Sequence, residues 1–402
     1  MSEVGPPFAA PGTPGDGVDG VVPRWVVRPG SVDEVRDVVR AGRPLVVTGR
    51  GAHLDIGAPP RDFDLLVRLD RLDRVVDHQA ADMTVTVEAG CSLADVDATL
   101  ATADQWLPFD PPRFGATTAG GLVAANLCGP LRASQGTVRD LLIGIRVVDA
   151  RGALVCGGGK VVKNVAGYDL PKLHVGALGT VGVVVEATFK VRPRPEREEA
   201  AVLHTTTSDD ACALALTVRD VLDPLWLEAG TLEGGMGAAV GVGGIASEIA
   251  AARRTIEDVA RRGGVELEWT KDGGGLRRSL GAFPVGVATA VLRASVLPTD
   301  VAATMARLRE LAGDVPVLAH VASGVVRTRL DDADTTRRVV AMLRSGIESR
   351  GGFLVVERAE APVKRSLDVW GSPGEGLALM RRVKAAFDPK GIFAMGRFVG
   401  GL

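Results

Sequence analysis

The spacing of apolar and polar residues changes character along the chain. Between residues 31 and 40, Val32, Val35, Val38 and Val39 recur at helical spacing behind Ser31 and Glu34. That is a capping box followed by an amphipathic helix. Residues 44–48 (PLVVT) read as a short buried strand, and residues 83–88 (MTVTVE) alternate as a half-exposed one. Ser92 caps a helix to about residue 103, with Leu93, Val96 and Leu100 on one face. Residues 142–148 and 153–156 flank Asp149-Ala-Arg-Gly152, a hairpin by turn chemistry. Residues 181–192 place Val181, Val183, Val185, Ala187, Phe189 and Val191 on one side, and Arg192-Pro-Arg-Pro-Glu196 stops the sheet.

Past that break the texture differs. Strand-like pieces at 200–205, 265–269, 285–296, 315–321 and 352–356 alternate with amphipathic helices at 248–261, from Thr299 onward, and at 333–349. The Gly-rich stretch 230–244 reads as a loose loop, and a last helix covers 375–387. The fold class is α+β, with helices on one side of an antiparallel sheet in the second domain. Residues 1–20 read as a disordered lead-in, 21–195 as a first domain divided near 85, 196–374 as a second, and 375–402 as a helix and tail returning to the first.

Charge narrows the possibilities. Forty-seven Lys and Arg against 49 Asp and Glu give a net −2, which makes no case for a nucleic-acid partner. Cys91, Cys128, Cys156 and Cys212 stand far apart without a CxxC pair, so neither a zinc ribbon, an iron–sulfur cluster nor a disulfide scaffold is expected. They suit a reducing compartment, and the chain is read as cytoplasmic. No apolar run approaches the roughly 18 residues of a membrane span, so any membrane association would come through partners.

Candidate chemistry begins where strand 44–48 runs into Gly49-Arg-Gly51-Ala-His53. Successive unhindered N–H groups after a strand can converge on an anion. A dinucleotide fingerprint would need a third glycine at Leu54 and a helix that Pro59-Pro60 forbids, so the NAD reading fails. A ligand-free tight turn is the alternative. The glycines of 111–130 (PPRFGATTAGGLVAANLCGP) and 167–193 let backbone approach a flat or phosphorylated ligand.

Six pieces in order resemble the vanillyl-alcohol-oxidase superfamily, whose FAD-binding domain is of the two-part PCMH type: VVTGRGAHLDIG, TVTVEAGCSLADV, LPFDPPRFGATTAGGLVAANLCGP, GTVRDLLIGIRVVDARG, KVVKNVAGYDLPKLHVGALGTVGVVVEATFKVRPRP and FDPKGIF. Within it, VVKNVAGYDLPKL and AFDPKGIFAMGR resemble the FAD-binding E subunit of bacterial glycolate oxidase. The resemblance implies oxidation of glycolate or a similar short 2-hydroxy acid, beside a D-like flavoprotein and an F-like iron–sulfur subunit. A non-catalytic relay or structural subunit is the second reading. Gly49, Arg50, Gly51 and Ala52 would then offer amides to the pyrophosphate. Thr117, Thr118, Gly120 and Gly121 would run beneath the isoalloxazine. Gly176, Ala177, Gly179, Thr180 and Val183 would hold the ribityl and adenine end, with Gly136, Thr137 and Asp140 as a further polar contact. Thr48, His53, Pro112 and Gly182 complete the implied set.

The superfamily's histidine attachment point falls at Ala52, so FAD is expected to be noncovalent and His53 a loop residue. Tyr168, the single tyrosine, either touches the ligand or packs between subdomains. Residues 319–327 (AHVASGVVR) resemble a metal motif of the form GHAGDGNLH. Only His320 and one glycine match, with Arg327 in place of the second histidine, and no metal is expected. His174, His320 and Arg327 are the candidate catalytic residues. Arg327 and Arg397 either pair with a substrate carboxylate or form surface salt bridges.

Overall fold

The computed structural model describes residues 9–160, 168–286 and 288–402. Its first sheet orders the strands Ala9–Pro11, Trp25–Val27, Leu65–Arg68 and Leu45–Thr48, the last three mutually parallel. Helix Val32–Arg40 makes the crossover, with Ser31 Oγ accepting from the Glu34 amide (3.2 Å) and Val35, Val38 and Val39 buried. The expectation that order begins at residue 21 is corrected here. Residues 9–11 pair with Trp25–Val27, Val18 is buried, and Asp19 accepts from the buried Lys364 ammonium (2.9 and 3.0 Å).

A second sheet is wholly antiparallel, in the order Val75–Gln79, Thr84–Glu88, Val183–Lys190, Leu142–Val148, Leu154–Gly158. The division expected near residue 85 therefore falls earlier, since Val75–Gln79 already belongs here. Thr84–Glu88 is also buried throughout rather than half-exposed, because it lies inside the sheet and Thr86 meets Thr188 through their hydroxyls (3.0 Å). One apolar core runs through both sheets. The motif piece at residues 161–167 lies outside the described residues.

The second lobe is built on an eight-stranded antiparallel sheet: Leu267–Thr270, Arg197–Thr205, Gly235–Gly244, Trp226–Leu232, Val317–His320, Val325–Leu330, Ala290–Ser295 and Phe353–Ala359. Helices Ser208–Val221, Ala246–Gly263, Val301–Ala312 and Ala333–Glu348 share a core with one face. On the other face Ala200, Trp226 and Ala239 pack on Trp106 and Leu131 of the first lobe. The stretch read as a loose loop is the central hairpin of this sheet. Its glycines are demanded by neighbours: a Cβ on Gly241 would lie 2.0 Å from the Trp226 ring, and one on Gly230 2.2 Å from the Val317 carbonyl.

The last helix, Leu377–Phe387, leads back to the first lobe. The Leu45 amide donates to the Ile392 carbonyl (2.7 Å), and the Ala394 amide to the Leu45 carbonyl (2.8 Å). Lys384 Nζ donates to the carbonyls of Thr180 (2.7 Å) and Phe393 (2.8 Å) and pairs with Asp388 (2.6 Å). Among the described residues no helix is long and apolar enough to cross a membrane.

Candidate functional site

Strand Leu45–Thr48 delivers the chain into a cleft of about 780 Å³ between the two sheets of the first lobe. Loop 49–54 forms one wall, the start of helix Ala119–Ala125 another, and Leu178, Gly179, Gly182 and Val183 a third, with Arg397 closing one end. The amides of Arg50, Gly51, Ala52 and His53 donate to no acceptor among the described residues. Four adjacent free donors in a cleft wall make a nest for anionic oxygen.

Side chains from distant parts of the chain hold this loop. Arg358 Nη2 donates to His53 Nδ1 (2.9 Å), so the ring proton sits on Nε2, which donates to Thr117 Oγ1 (2.7 Å). Burial and the Arg358 charge hold His53 neutral, its pKa lowered to about 3. Arg358 also pairs with Asp55, and Lys364 Nζ donates to the Asp55 carbonyl. Arg397 Nη2 donates to the carbonyls of Leu54 (2.9 Å) and Ile56, while its Nη1 is buried without a partner. Arg397 is thus a buried loop anchor and not a surface ion pair.

Of the sequence-derived set, Thr48, Gly49, Arg50, Gly51, Ala52, His53, Thr118, Gly120, Gly121, Gly179, Gly182 and Val183 line the cleft. Thr117 is buried behind it as the His53 partner. Pro112 and Gly176 line a neighbouring pocket instead. Ala177 and Thr180 are buried outside the cleft, where the Thr180 hydroxyl donates to the Ala177 carbonyl (2.7 Å). Gly136, Thr137 and Asp140 are not brought in either: Asp140 accepts from the Thr137 amide and hydroxyl (2.8 Å each) in a local helix cap. Tyr168 is 92% exposed, which excludes packing between subdomains.

The neighbouring pocket, about 910 Å³, shares Ala125 and Leu178 with the cleft and lies between the lobes. Arg132, Arg293, Arg327 and Glu357 line it. Arg327 is held through all three nitrogens by two residues: Nε and Nη2 donate to Glu357 (2.7 and 3.3 Å), and Nη1 to His320 Nε2 (2.8 Å). His320 must then carry its proton on Nδ1, which donates to Glu228. Burial and the guanidinium of Arg327 keep His320 far below its ordinary pKa. Burial opposes ionisation of Glu357, but Arg327 and Arg293 outweigh it and bring the carboxyl down to about 2. Arg293 lies 3.7 Å from Glu357 and donates to Ser295 (2.8 Å). The Arg132 guanidinium makes no hydrogen bond or ion pair among the described residues.

The candidate catalytic residues therefore separate. Arg327 faces the pocket, and His320 stands behind it with both nitrogens engaged. His174 lines neither cavity, lies edge-on to Phe387 at 6.5 Å between ring centroids, and is held neutral by burial at about 4. Sequence reasoning missed Arg132, Arg293, Glu357 and Arg358. A buried arginine on a strand reads as an exposed one until its partner strand is known.

Residues 23–157 match the FAD binding domain family, and residues 372–398 the C-terminal domain of FAD linked oxidases. The glycolate oxidase subunit GlcE of Escherichia coli K12 is 38% identical over 41% of this chain and 47% of its own length. Glycolate oxidase subunit GlcD of Bacillus subtilis is 31% identical over 50% of the chain and 43% of its own length. The alignments thus span about half of each of these relatives. A D-2-hydroxyglutarate dehydrogenase of Xanthomonas citri pv. viticola is similar over more, 26% identical across 91% of this chain and 87% of its own. Among solved structures, p-cresol methylhydroxylase with substrate bound superposes with a TM-score of 0.73 at 14% identity, over 94% of this chain and 89% of that one. The α+β fold with a large antiparallel second sheet is that of the PCMH-type FAD enzymes.

Proposed function

We propose that this chain, whose residues 23–157 match the FAD binding domain family and 372–398 the C-terminal domain of FAD linked oxidases, serves as an FAD-dependent subunit of the glycolate oxidase type. It oxidises glycolate or a similar short 2-hydroxy acid to the 2-oxo acid. Electrons then pass to an iron–sulfur partner, with a homologous flavoprotein beside it. The observation that carries the reading is the row of unpaired amides at residues 50–53, facing a cleft that abuts an arginine-lined pocket.

The residues present fit FAD. The free amides would take the pyrophosphate, and Gly121 and Gly179 leave space for a flat ring system. FAD supplies a two-electron acceptor when bound. This chain's part is to position that acceptor, to exclude water with the interlobe contact, and to bring an anionic substrate beside it. His53 engages both ring nitrogens with protein partners, which favours noncovalent retention. The second reading, a relay or docking subunit without turnover of its own, is favoured by one observation. Neither His174 nor His320 presents a free nitrogen to the pocket that could take a proton.

An absorption spectrum of the purified chain, followed by anaerobic addition of glycolate and of D-lactate, tests both. Flavin bands that bleach with substrate are expected for the main reading. Bands that bleach only with partner subunits present select the relay, and absence of flavin after FAD is supplied overturns the proposal.

A further inference from the structure

The pocket between the lobes carries more positive charge than its own structure uses. Arg327 is neutralised by Glu357 through two hydrogen bonds, and Arg293 shares the same carboxylate only at 3.7 Å. Arg132, from the first lobe, faces the same space with no acceptor of its own. Three guanidiniums against one carboxylate in a part-buried pocket leave an unmet demand for negative charge. Guanidinium meets carboxylate with a planar fork of donors, which fixes orientation as well as charge. The pocket opens beside the cleft through Ala125 and Leu178, so an anion there would lie next to whatever occupies the cleft.

Arg327 also decides how the positive charge is delivered. Its guanidinium occupies the position between His320 and Glu357, where two ligating atoms would otherwise face each other. A fixed organic cation in that place repels a second cation and leaves His320 Nε2 without a free lone pair.

We propose that this pocket is a carboxylate-binding site that works without a metal ion, in which Arg132 grips the substrate carboxylate while Arg293 and Arg327, sharing the single Glu357 carboxylate, leave a net positive charge beside it. The inference rests on the 2-hydroxy-acid reading and deepens it. Arg132 becomes the residue that selects acids over their neutral analogues, and oxalate, a dianion, binds more tightly than glycolate.

Titration calorimetry of the full chain with sodium oxalate, glycolate and neutral glycolamide, in the presence of EDTA, tests this. Oxalate is expected to bind most tightly and glycolamide not at all. Arg132→Gln should weaken oxalate at least about tenfold, the loss of a charged hydrogen-bonded contact, with the melting temperature unchanged. Arg132→Lys should recover part of the affinity. Wild-type affinity in Arg132→Gln, equal binding of glycolamide, or binding abolished by EDTA and restored by manganese would overturn the proposal. The flavin spectrum is recorded on the same samples. A chain without flavin that still binds oxalate through Arg132 sinks the FAD reading alone.

Discussion

A Cβ placed on Gly49 would sit 2.2 Å from Thr118 Oγ1, and one on Gly120 2.8 Å from the Ala89 Cβ, so protein neighbours hold both as glycine. Gly121 differs, because its Cβ would meet only Thr118 Oγ1, at 3.3 Å, and would look into the cleft. Gly49→Ala should therefore destabilise the fold itself by about 1–3 kcal/mol, the usual cost of overpacking. Gly121→Val should leave the melting temperature nearly unchanged and abolish flavin retention, read as absorbance after desalting. His174 acts at the same scale. Burial depresses its folded pKa to about 4, so its contribution is complete above the unfolded value near 6.5 and is lost as pH falls through 4. The loss amounts to about 3 kcal/mol by pH 4. His174→Phe should remove that component, narrowing the difference between urea unfolding free energies at pH 7 and pH 4 by this amount.

Among the elements, the loop after strand Leu45–Thr48 is fixed by strand Phe353–Ala359 of the other lobe, through Arg358 on His53 and Asp55. Arg358→Ala leaves Asp55 with Arg113 alone, at 3.4 Å, and the His53 ring held only by Thr117. A loss of about 1–3 kcal/mol in denaturant unfolding is expected, with faster release of FAD in stopped-flow dilution. The strand itself, the glycines of the loop and the capped helix Val32–Arg40 were all legible, because each depends on residues within a few positions. Hairpin 226–244 was not, because glycine chosen to admit the Trp226 ring looks the same in sequence as glycine chosen for a loop. The half-exposed reading of Thr84–Glu88 failed for a related reason: alternation with threonine cannot show that Thr188 waits on the neighbouring strand.

At the scale of the molecule, most residues lining the cleft were legible as candidates from local motifs, but the arginines of the neighbouring pocket were not. Arg132 and Arg293 meet only because the second lobe folds back across the first, and nothing within either segment records the other. The C-terminal segment shows the same dependence. A chain ending after Phe387 would lose the Ile392 and Ala394 bonds to Leu45, the buried Phe393 ring and Arg397. Deleting the buried Phe393 alone should cost about 3–5 kcal/mol. The truncated protein should melt well below the full chain by calorimetry and elute without flavin.

The bonds from Arg397 to Leu54 and Ile56 also set an order of events during biosynthesis. The loop emerges from the ribosome 343 residues ahead of the side chain that holds its Leu54 carbonyl. Closure of the loop therefore waits for the Arg397 segment, and a nascent chain that has not reached it presents the cleft without that anchor.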